Sequence, residues 1–392
     1  MQRINTGKIK LTILLLSLVQ MATTGLSPML SSVSEAFPDV STSSIQFLMT
    51  IPGIFVVIFA LLSAWISRHI RKRTLISIGA CFIFLSGILA FFLHGNIMLL
   101  RLWSAALGVG MGLVSALTNS LAADYFEGNE KAGLMGQITG MGNAGGMIMS
   151  IVGGILATVA WHYNYLVFLL ALPGLFCCIL FVPKENKQAP VNTDGASASK
   201  LSSNTISFAV TACIFLFCYN VGPANLSMLI AEKEIGGSAL TGVAAAVYLL
   251  GGALLGLMFG KLDSLLKIYT LPAGFLLLAV GFLGILASNS AAPLILFCLI
   301  GGAAISMIMP QCMNQVSQNP NPPQAAFAIA LVMAGSNLGT FLTPFLSKIS
   351  AAVTDSENAA GKFRTSAVLG IALFVVYVIL VTWKKRKNNA EI

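Results

Sequence analysis

Apolar residues gather into long uninterrupted runs separated by short polar connections, from one end of the chain to the other. Twelve runs of at least 18 residues fall at about 11–33, 44–67, 74–93, 97–123, 131–160, 165–182, 206–230, 238–260, 268–288, 292–316, 324–347 and 363–383. Each is long enough to cross a bilayer as a helix, which takes ~20 apolar residues. Helix is the expected form because a lipid-exposed backbone has to satisfy every N–H and C=O within itself. The alternating ten-residue segments of a membrane barrel do not occur. The expected fold class is therefore all-α integral membrane, with twelve transmembrane helices. One long polar interruption, KENKQAPVNTDGASASKLSSN from Lys184 to Asn204, divides the runs six and six. The expected organisation is an N-terminal six-helix half at 1–182, a linker at 183–205, a C-terminal half at 206–383 and a basic tail at 384–392.

Composition sharpens this picture. Of 392 residues, 57% are hydrophobic and 9% charged, against roughly 25% charged in a soluble domain. That shortage excludes a water-soluble enzyme and a disordered chain. The net charge is +9. If the N-terminus is cytoplasmic, 17 of the 22 Lys and Arg residues fall in cytoplasmic segments, so the positive-inside rule places both termini in the cytoplasm of a plasma-membrane protein. The basic leader Arg3, Lys8 and Lys10 is read as the flank of a retained first span, because the apolar run that follows is longer than a signal peptide's. Beside a membrane, the clusters Arg68 to Arg73 and Lys384 to Lys387 point to anionic lipid and not to nucleic acid. The seven cysteines lie inside apolar runs with no CxxC pair, and His69, His94 and His162 sit singly at span ends. Neither a disulfide framework nor a metal or other cofactor is expected, and no P-loop or catalytic motif suggests an enzyme.

The halves carry traces of a repeat. GNAGGMIMS (Gly142 to Ser150) aligns with SNLGTFLTP (Ser336 to Pro344), keeping Asn143 over Asn337 and Gly145 over Gly339. QMATTGLS (Gln20 to Ser27) aligns with NVGPANLS (Asn220 to Ser227), keeping an amide over an amide and Leu-Ser over Leu-Ser. Two matches in corresponding spans point to duplication.

Between the second and third runs stands SAWISRHIRK, from Ser63 to Lys72. It resembles the cytoplasmic signature of the major facilitator superfamily, roughly G-x-L-A-D-R-x-G-R-[RK], with Arg68, Arg71 and Lys72 matching and Ser67 in place of the Asp. The resemblance covers the whole chain and implies that family's twelve-helix fold and a secondary active transporter. It also implies a cytoplasmic latch of Ser67, Arg68 and Arg71, with Arg71 reaching Asp124 at the end of span four. Arg68, Lys72 and Arg73 read equally well as a topology cluster. Span five is similar to the family's antiporter motif in Gly145, Gly153 and Gly154, echoed in span eleven by Gly335, Gly339 and Pro344. Close helix packing explains the same glycines, together with Gly136, Gly140, Gly142 and Gly146. Arg101 resembles the family's span-four arginine, which implies a coupling role or an anion contact; at ~6 Å of depth (1.5 Å per residue) it could equally snorkel to the interface.

A transporter of this kind binds small molecules near the midplane through inward polar groups. Candidates are Gln20, Thr24, Asn119, Asn143, Tyr219, Asn220, Gln311 and Asn337, joined by Thr23, Thr50, Gln137, Asn225, Tyr248 and Asn314. No Asp or Glu falls inside a run, and a dedicated cation site would want one. The expected substrate is neutral, amphipathic or anionic, with protons as a candidate second partner. The general look resembles bacterial sugar-efflux and drug-antiporter permeases, implying efflux by a monomer. An uptake permease or uniporter, and a transporter-like scaffold or sensor, are the competing readings.

Overall fold

Helix occupies each of the twelve expected runs in the computed structural model, which describes residues 6–67, 69–183, 203–317, 322–346, 349–350 and 358–390. Ten described stretches are long and apolar enough to cross a membrane. One of them, Ser238–Ala287, is 50 residues long and holds two helices. Of the expected linker, residues 184–202 lie outside the described residues, as do the side chains of the basic tail.

Chain contacts fall into two units. One comprises Met1–Asn192 with Gly237–Ala246, the other Thr193–Gly236 with Val247–Ile392. In the first unit, α1 (Thr6–Ser17) gives way to a turn, a 3-10 segment (Ala22–Met29) and α2 (Leu30–Ala36). Then come α3 (Thr42–Ile66), α4 (Lys72–Phe92), α5 (Ile97–Tyr125) and α6 (Gly128–Ala157), and a second 3-10 segment (Trp161–Leu170) running into α7 (Ala171–Phe181). The other unit holds α8 (Ser203–Tyr219), broken from α9 (Val221–Glu232) at Asn220, and α10 (Ser238–Leu266), whose first turns group with the first unit. It continues through α11 (Thr270–Ala287), α12 (Ala291–Ala303), α13 (Ile305–Ser317), α14 (Pro322–Leu342) and α15 (Ala359–Ala390).

Glycine sets how closely these helices approach. A Cβ on Gly145 of α6 would overlap the Leu18 carbonyl oxygen, and one on Gly339 of α14 would overlap that of Cys213. Gly335 is similar, its Cβ position lying 2.5 Å from the Ala209 oxygen. Backbone-to-backbone contact of this kind replaces the hydrophobic drive that helices lack in lipid. Gly153 packs on Asn164 and the Gly25 carbonyl, and Gly154 on Ser238 and Gly242 within the first unit. Pro344, buried, starts the 3-10 turn that ends α14. Gly136 and Gly140 do not share this role: nothing lies within 4 Å of a Cβ on either, because the first half of α6 presents that face to open space.

Charged residues staple the helix ends. Let the near end of each unit be the one where its first helix begins. At the near end of the first unit the Arg73 guanidinium donates to the carbonyls of Val182 (3.1 Å) and Ile179, closing the C-terminus of α7. Lys8 lies 5.0 Å from the Phe181 ring centroid. At the far end Asn96 caps α5 by accepting from Met98 N–H at 2.8 Å. In the second unit two adjacent residues serve two helices. Glu232 accepts from the N–H groups of Ala359 (2.7 Å) and Ala360 (3.3 Å) at the start of α15. Lys233 donates to the Leu286 and Ser288 carbonyls at the end of α11. Each charge complements the helix terminus that it meets. Burial pushes the Lys233 ammonium below its ordinary pKa.

Candidate functional site

The expected amides at Gln20 and Asn220 stand where the first helix of each unit breaks. Residues 18–21 form the turn between α1 and its 3-10 continuation, and Asn220 is the turn between α8 and α9. The residues aligned after them, Leu26 with Ser27 and Leu226 with Ser227, are all buried. Breaks within a membrane helix expose backbone groups that need new partners. In α9, Pro223 has no N–H to offer the Tyr219 carbonyl four residues earlier, and Tyr248 Oη donates to it at 3.0 Å. Around the first break the Thr24 carbonyl, inside the 3-10 segment, also accepts from Ser150 Oγ of α6 at 3.3 Å.

Around the second break the polar groups converge. Asn220 Nδ2 donates to the Leu216 carbonyl and to Thr340 Oγ1 of α14, both at 2.9 Å. Tyr219 Oη donates to the Gly302 carbonyl at 3.2 Å, and the Tyr219 and Tyr248 ring centroids are 4.8 Å apart. A Cβ on Gly222 would stand 3.0 Å from the Tyr248 ring, so this glycine admits the tyrosine to the break. Gln311 of α13 is 6% exposed and its Oε1 has no partner among the described residues. Asn337 turns back to the Met333 carbonyl at 2.9 Å, and buried Asn225 to that of Val221 at 3.2 Å. Their donors therefore serve their own helices.

Around the first break the groups are less committed. Thr24 Oγ1 donates to the Met21 carbonyl (2.7 Å) and lies 3.4 Å from that of Gly146. Buried Gln20 Nε2 has no partner among the described residues, and Asn143 is half-buried. Asn119 of α5 and Gln137 of α6 are exposed. The open face of α6 thus carries Gln137 and Thr139 alongside Gly136 and Gly140.

One expected pairing differs. Asp124, its side chain 5% exposed, pairs with Lys72 and not with Arg71: the Lys72 Nζ to Oδ2 distance is 2.6 Å. The same ammonium reaches Ser120 Oγ at 2.8 Å. Arg71 has extended backbone as the N-cap of α4 and is exposed, whereas Lys72 is the first helical residue and faces the end of α5. Ser67 caps α3 through its backbone N–H to Ser63 O, and Arg68 lies outside the described residues. Arg101 Nη2 donates to the Ser44 carbonyl in the first turn of α3 at 3.1 Å, and its buried Nε has no partner among the described residues.

Three carboxylates at helix ends are engaged: Asp124 by Lys72, Glu232 by two backbone N–H groups, and Asp263 by Thr270 Oγ1 at 2.9 Å. Lys362, 1% exposed in the first turn of α15, is a buried cation that the run boundaries had placed outside the last span. His94 and His162, both at span ends, stack with centroids 4.0 Å apart.

No curated protein matches the chain by sequence. Among solved structures, the nucleoside transporter NupG superposes with a TM-score of 0.77 at 13% identity, covering 95% of this chain and 99% of its own. A D-xylose–proton symporter gives 0.71 at 17% identity over 95% and 97%. A bacterial homologue of the lysosomal transporter Spinster, inward-facing and unoccupied, gives 0.74 at 13% over 98% of each chain. At these identities the likeness concerns the fold. The sequence pattern of the Major Facilitator Superfamily matches residues 12–229 and again 207–392, nearly the whole length, and the chain belongs to that superfamily.

Proposed function

We propose that this transporter exports a small neutral, amphipathic or anionic solute by alternating access, with both termini and the near ends of the units cytoplasmic. The observation that carries the substrate class is the chemistry of the two helix breaks. They present amides, phenols and hydroxyls, and Asp124, Glu232 and Asp263 at helix ends are already engaged. A desolvated cation would meet no free carboxylate there, whereas a hydroxylated or amide-bearing solute can trade water for these donors and acceptors. Tyr219, Asn220, Gln311 and Asn337 of the second unit, and Gln20, Thr24, Asn119 and Asn143 of the first, are the residues proposed to touch the solute. Proton coupling is weak in this reading, because Asp124, Glu232 and Asp263 each serve a structural partner.

Flux in proteoliposomes tests it, after a thermal-shift screen of sugars, amino acids, organic anions and amphipathic drugs has found a stabilising ligand. Expected is saturable flux that an imposed pH gradient changes little and that Gln311→Leu depresses with the fold intact. Flux of a lipophilic cation that collapses with an uncoupler would overturn both the substrate class and the weak coupling. Ligand binding without flux would favour the sensor reading.

A further inference from the structure

Three consecutive basic residues open α4, and they point three ways. Lys72 pairs with Asp124 at the end of α5, and Arg73 donates to the carbonyls that end α7. Arg71 is exposed, and none of the described residues pairs with its guanidinium. The acidic residues that follow α5, Glu127 and Glu130, stand at the start of α6 beyond Asp124, on the side that Lys72 faces. Below Arg71, the outward face of α4 carries a groove lined by Thr74, Ser77, Ile78, Cys81, Phe82 and Leu85, and its open surface is entirely apolar. At 3.6 residues per turn these six are centred ~50° from Arg71, against ~150° from Lys72 and ~110° from Arg73. Ser77 and Cys81 are half-buried and form the floor, while the other four are exposed and form the walls. Ser77 Oγ donates back to the Arg73 carbonyl at 2.9 Å, so the floor turns no polar group outward. From Thr74 to Leu85 the groove runs ~16 Å at 1.5 Å per residue, the depth of one leaflet of a ~30 Å hydrocarbon core. Exposed Trp65, at the end of α3, packs on His69 in the connection to α4 with ring centroids 5.2 Å apart. An amphipathic ring there marks the headgroup level beside Arg71.

We propose that this face of α4 binds one anionic phospholipid, with an acyl chain along the groove and the phosphodiester at Arg71. The groove supplies a carbon surface one leaflet deep, and the guanidinium supplies a two-pronged donor for phosphate oxygens at its mouth. A zwitterionic headgroup brings its own ammonium to a place that already holds a positive charge with no carboxylate beside it. A phosphatidylglycerol headgroup brings the phosphate alone, so charge favours the anionic lipid. A second copy of the chain fits the same face badly. Two copies in one membrane share their orientation, so a symmetric α4–α4 contact would set Arg71 against Arg71. The site selects a lipid of the leaflet at the near end, whatever the direction and substrate of transport.

Native mass spectrometry of the purified full-length protein in detergent, titrated with dioleoylphosphatidylglycerol or with dioleoylphosphatidylcholine, tests the proposal. Expected is one phosphatidylglycerol retained at about 5-fold lower concentration than phosphatidylcholine, the scale of one basic residue's attraction to an anionic surface. Arg71→Ala should abolish that preference and leave phosphatidylcholine binding unchanged, whereas Arg71→Lys should keep part of it as a point charge. Phe82→Ala, which removes a wall of the groove, should weaken both lipids and preserve their ratio. Unfolding temperatures in lipid-free detergent equal to wild type establish that the variants are folded. Equal affinity of the wild type for the two lipids, or a preference intact in folded Arg71→Ala, would overturn the proposal. A protein dimer that phosphatidylglycerol leaves intact and Phe82→Ala dissociates would overturn it as well, by assigning the groove to a second copy.

Discussion

Replacing Lys72 and Arg71 in turn, against Asp124, distinguishes the observed ion pair from the one that the family signature suggests. The Lys72–Asp124 pair is short, at 2.6 Å, and its side chains are 16% and 5% exposed. It is therefore far from the exposed regime in which ion pairs contribute ~0–1 kcal/mol. Removing one partner of a fully buried pair costs roughly 3–5 kcal/mol, mostly through the charge left behind. Ser120 Oγ, 2.8 Å from the ammonium, offsets part of that for Lys72. The expected cost of Asp124→Asn is thus about 2–3 kcal/mol, and the coupling between Lys72→Met and Asp124→Asn about 1–3 kcal/mol. Arg71→Ala, on an exposed N-cap, should cost under ~0.5 kcal/mol and couple to Asp124→Asn by no more than the error of additivity. The assay is a double-mutant cycle on reversible denaturant unfolding in detergent. A coupling larger for Arg71 than for Lys72 would refute the assignment. Coupling by neither would show that the pair adds nothing net, with Ser120 sufficing for the ammonium and water for the carboxylate.

Two further outcomes follow from the packing and the breaks. Gly339→Leu, whose Cβ alone would overlap the Cys213 carbonyl, should cost more than the ~1–3 kcal/mol of ordinary overpacking and lower the yield of monodisperse protein, whereas Gly136→Ala, in open space, should be neutral; equal effects in size-exclusion profiles would contradict the packing. Tyr248→Phe leaves the Tyr219 carbonyl without its donor and should cost about 1–3 kcal/mol, against about 0.5–1 kcal/mol for Ser150→Ala with its longer bond, and a neutral Tyr248→Phe in thermal unfolding would refute the capping role.

Helix type and an all-helical, multi-span membrane fold were legible because lipid imposes a length and a hydrogen-bonding rule that composition alone reports. The helix breaks were half legible. The alignment of Gln20 with Asn220 located them, but nothing local to Tyr248 says that its phenol serves a carbonyl 29 residues earlier. Gly145 and Gly339 were readable as close-approach positions. Gly136 and Gly140 carry the same spacing and meet nothing, because the pattern does not say which face of α6 is covered. The choice of Lys72 over Arg71 depends on where α4 begins to within one residue, finer than any sequence pattern resolves. His94 with His162, and Arg101 with Ser44, are contacts between connections and helix ends far apart in sequence, and apolar periodicity carries no information about such contacts.

The hydroxyl that completes the break at Asn220 also determines how that break responds to force. A carbonyl held by a backbone N–H can be released only by unwinding the turn that supplies the N–H. The Tyr219 carbonyl is held by a side chain from α10, and a rotamer change of Tyr248 frees it at a net cost of ~1 kcal/mol. Neighbouring turns stay wound. This span is therefore two stiff rods joined by a compliant joint whose stiffness resides in one side chain on a different helix. Substituting that side chain should retune the joint's compliance without altering a residue of the helix that bends.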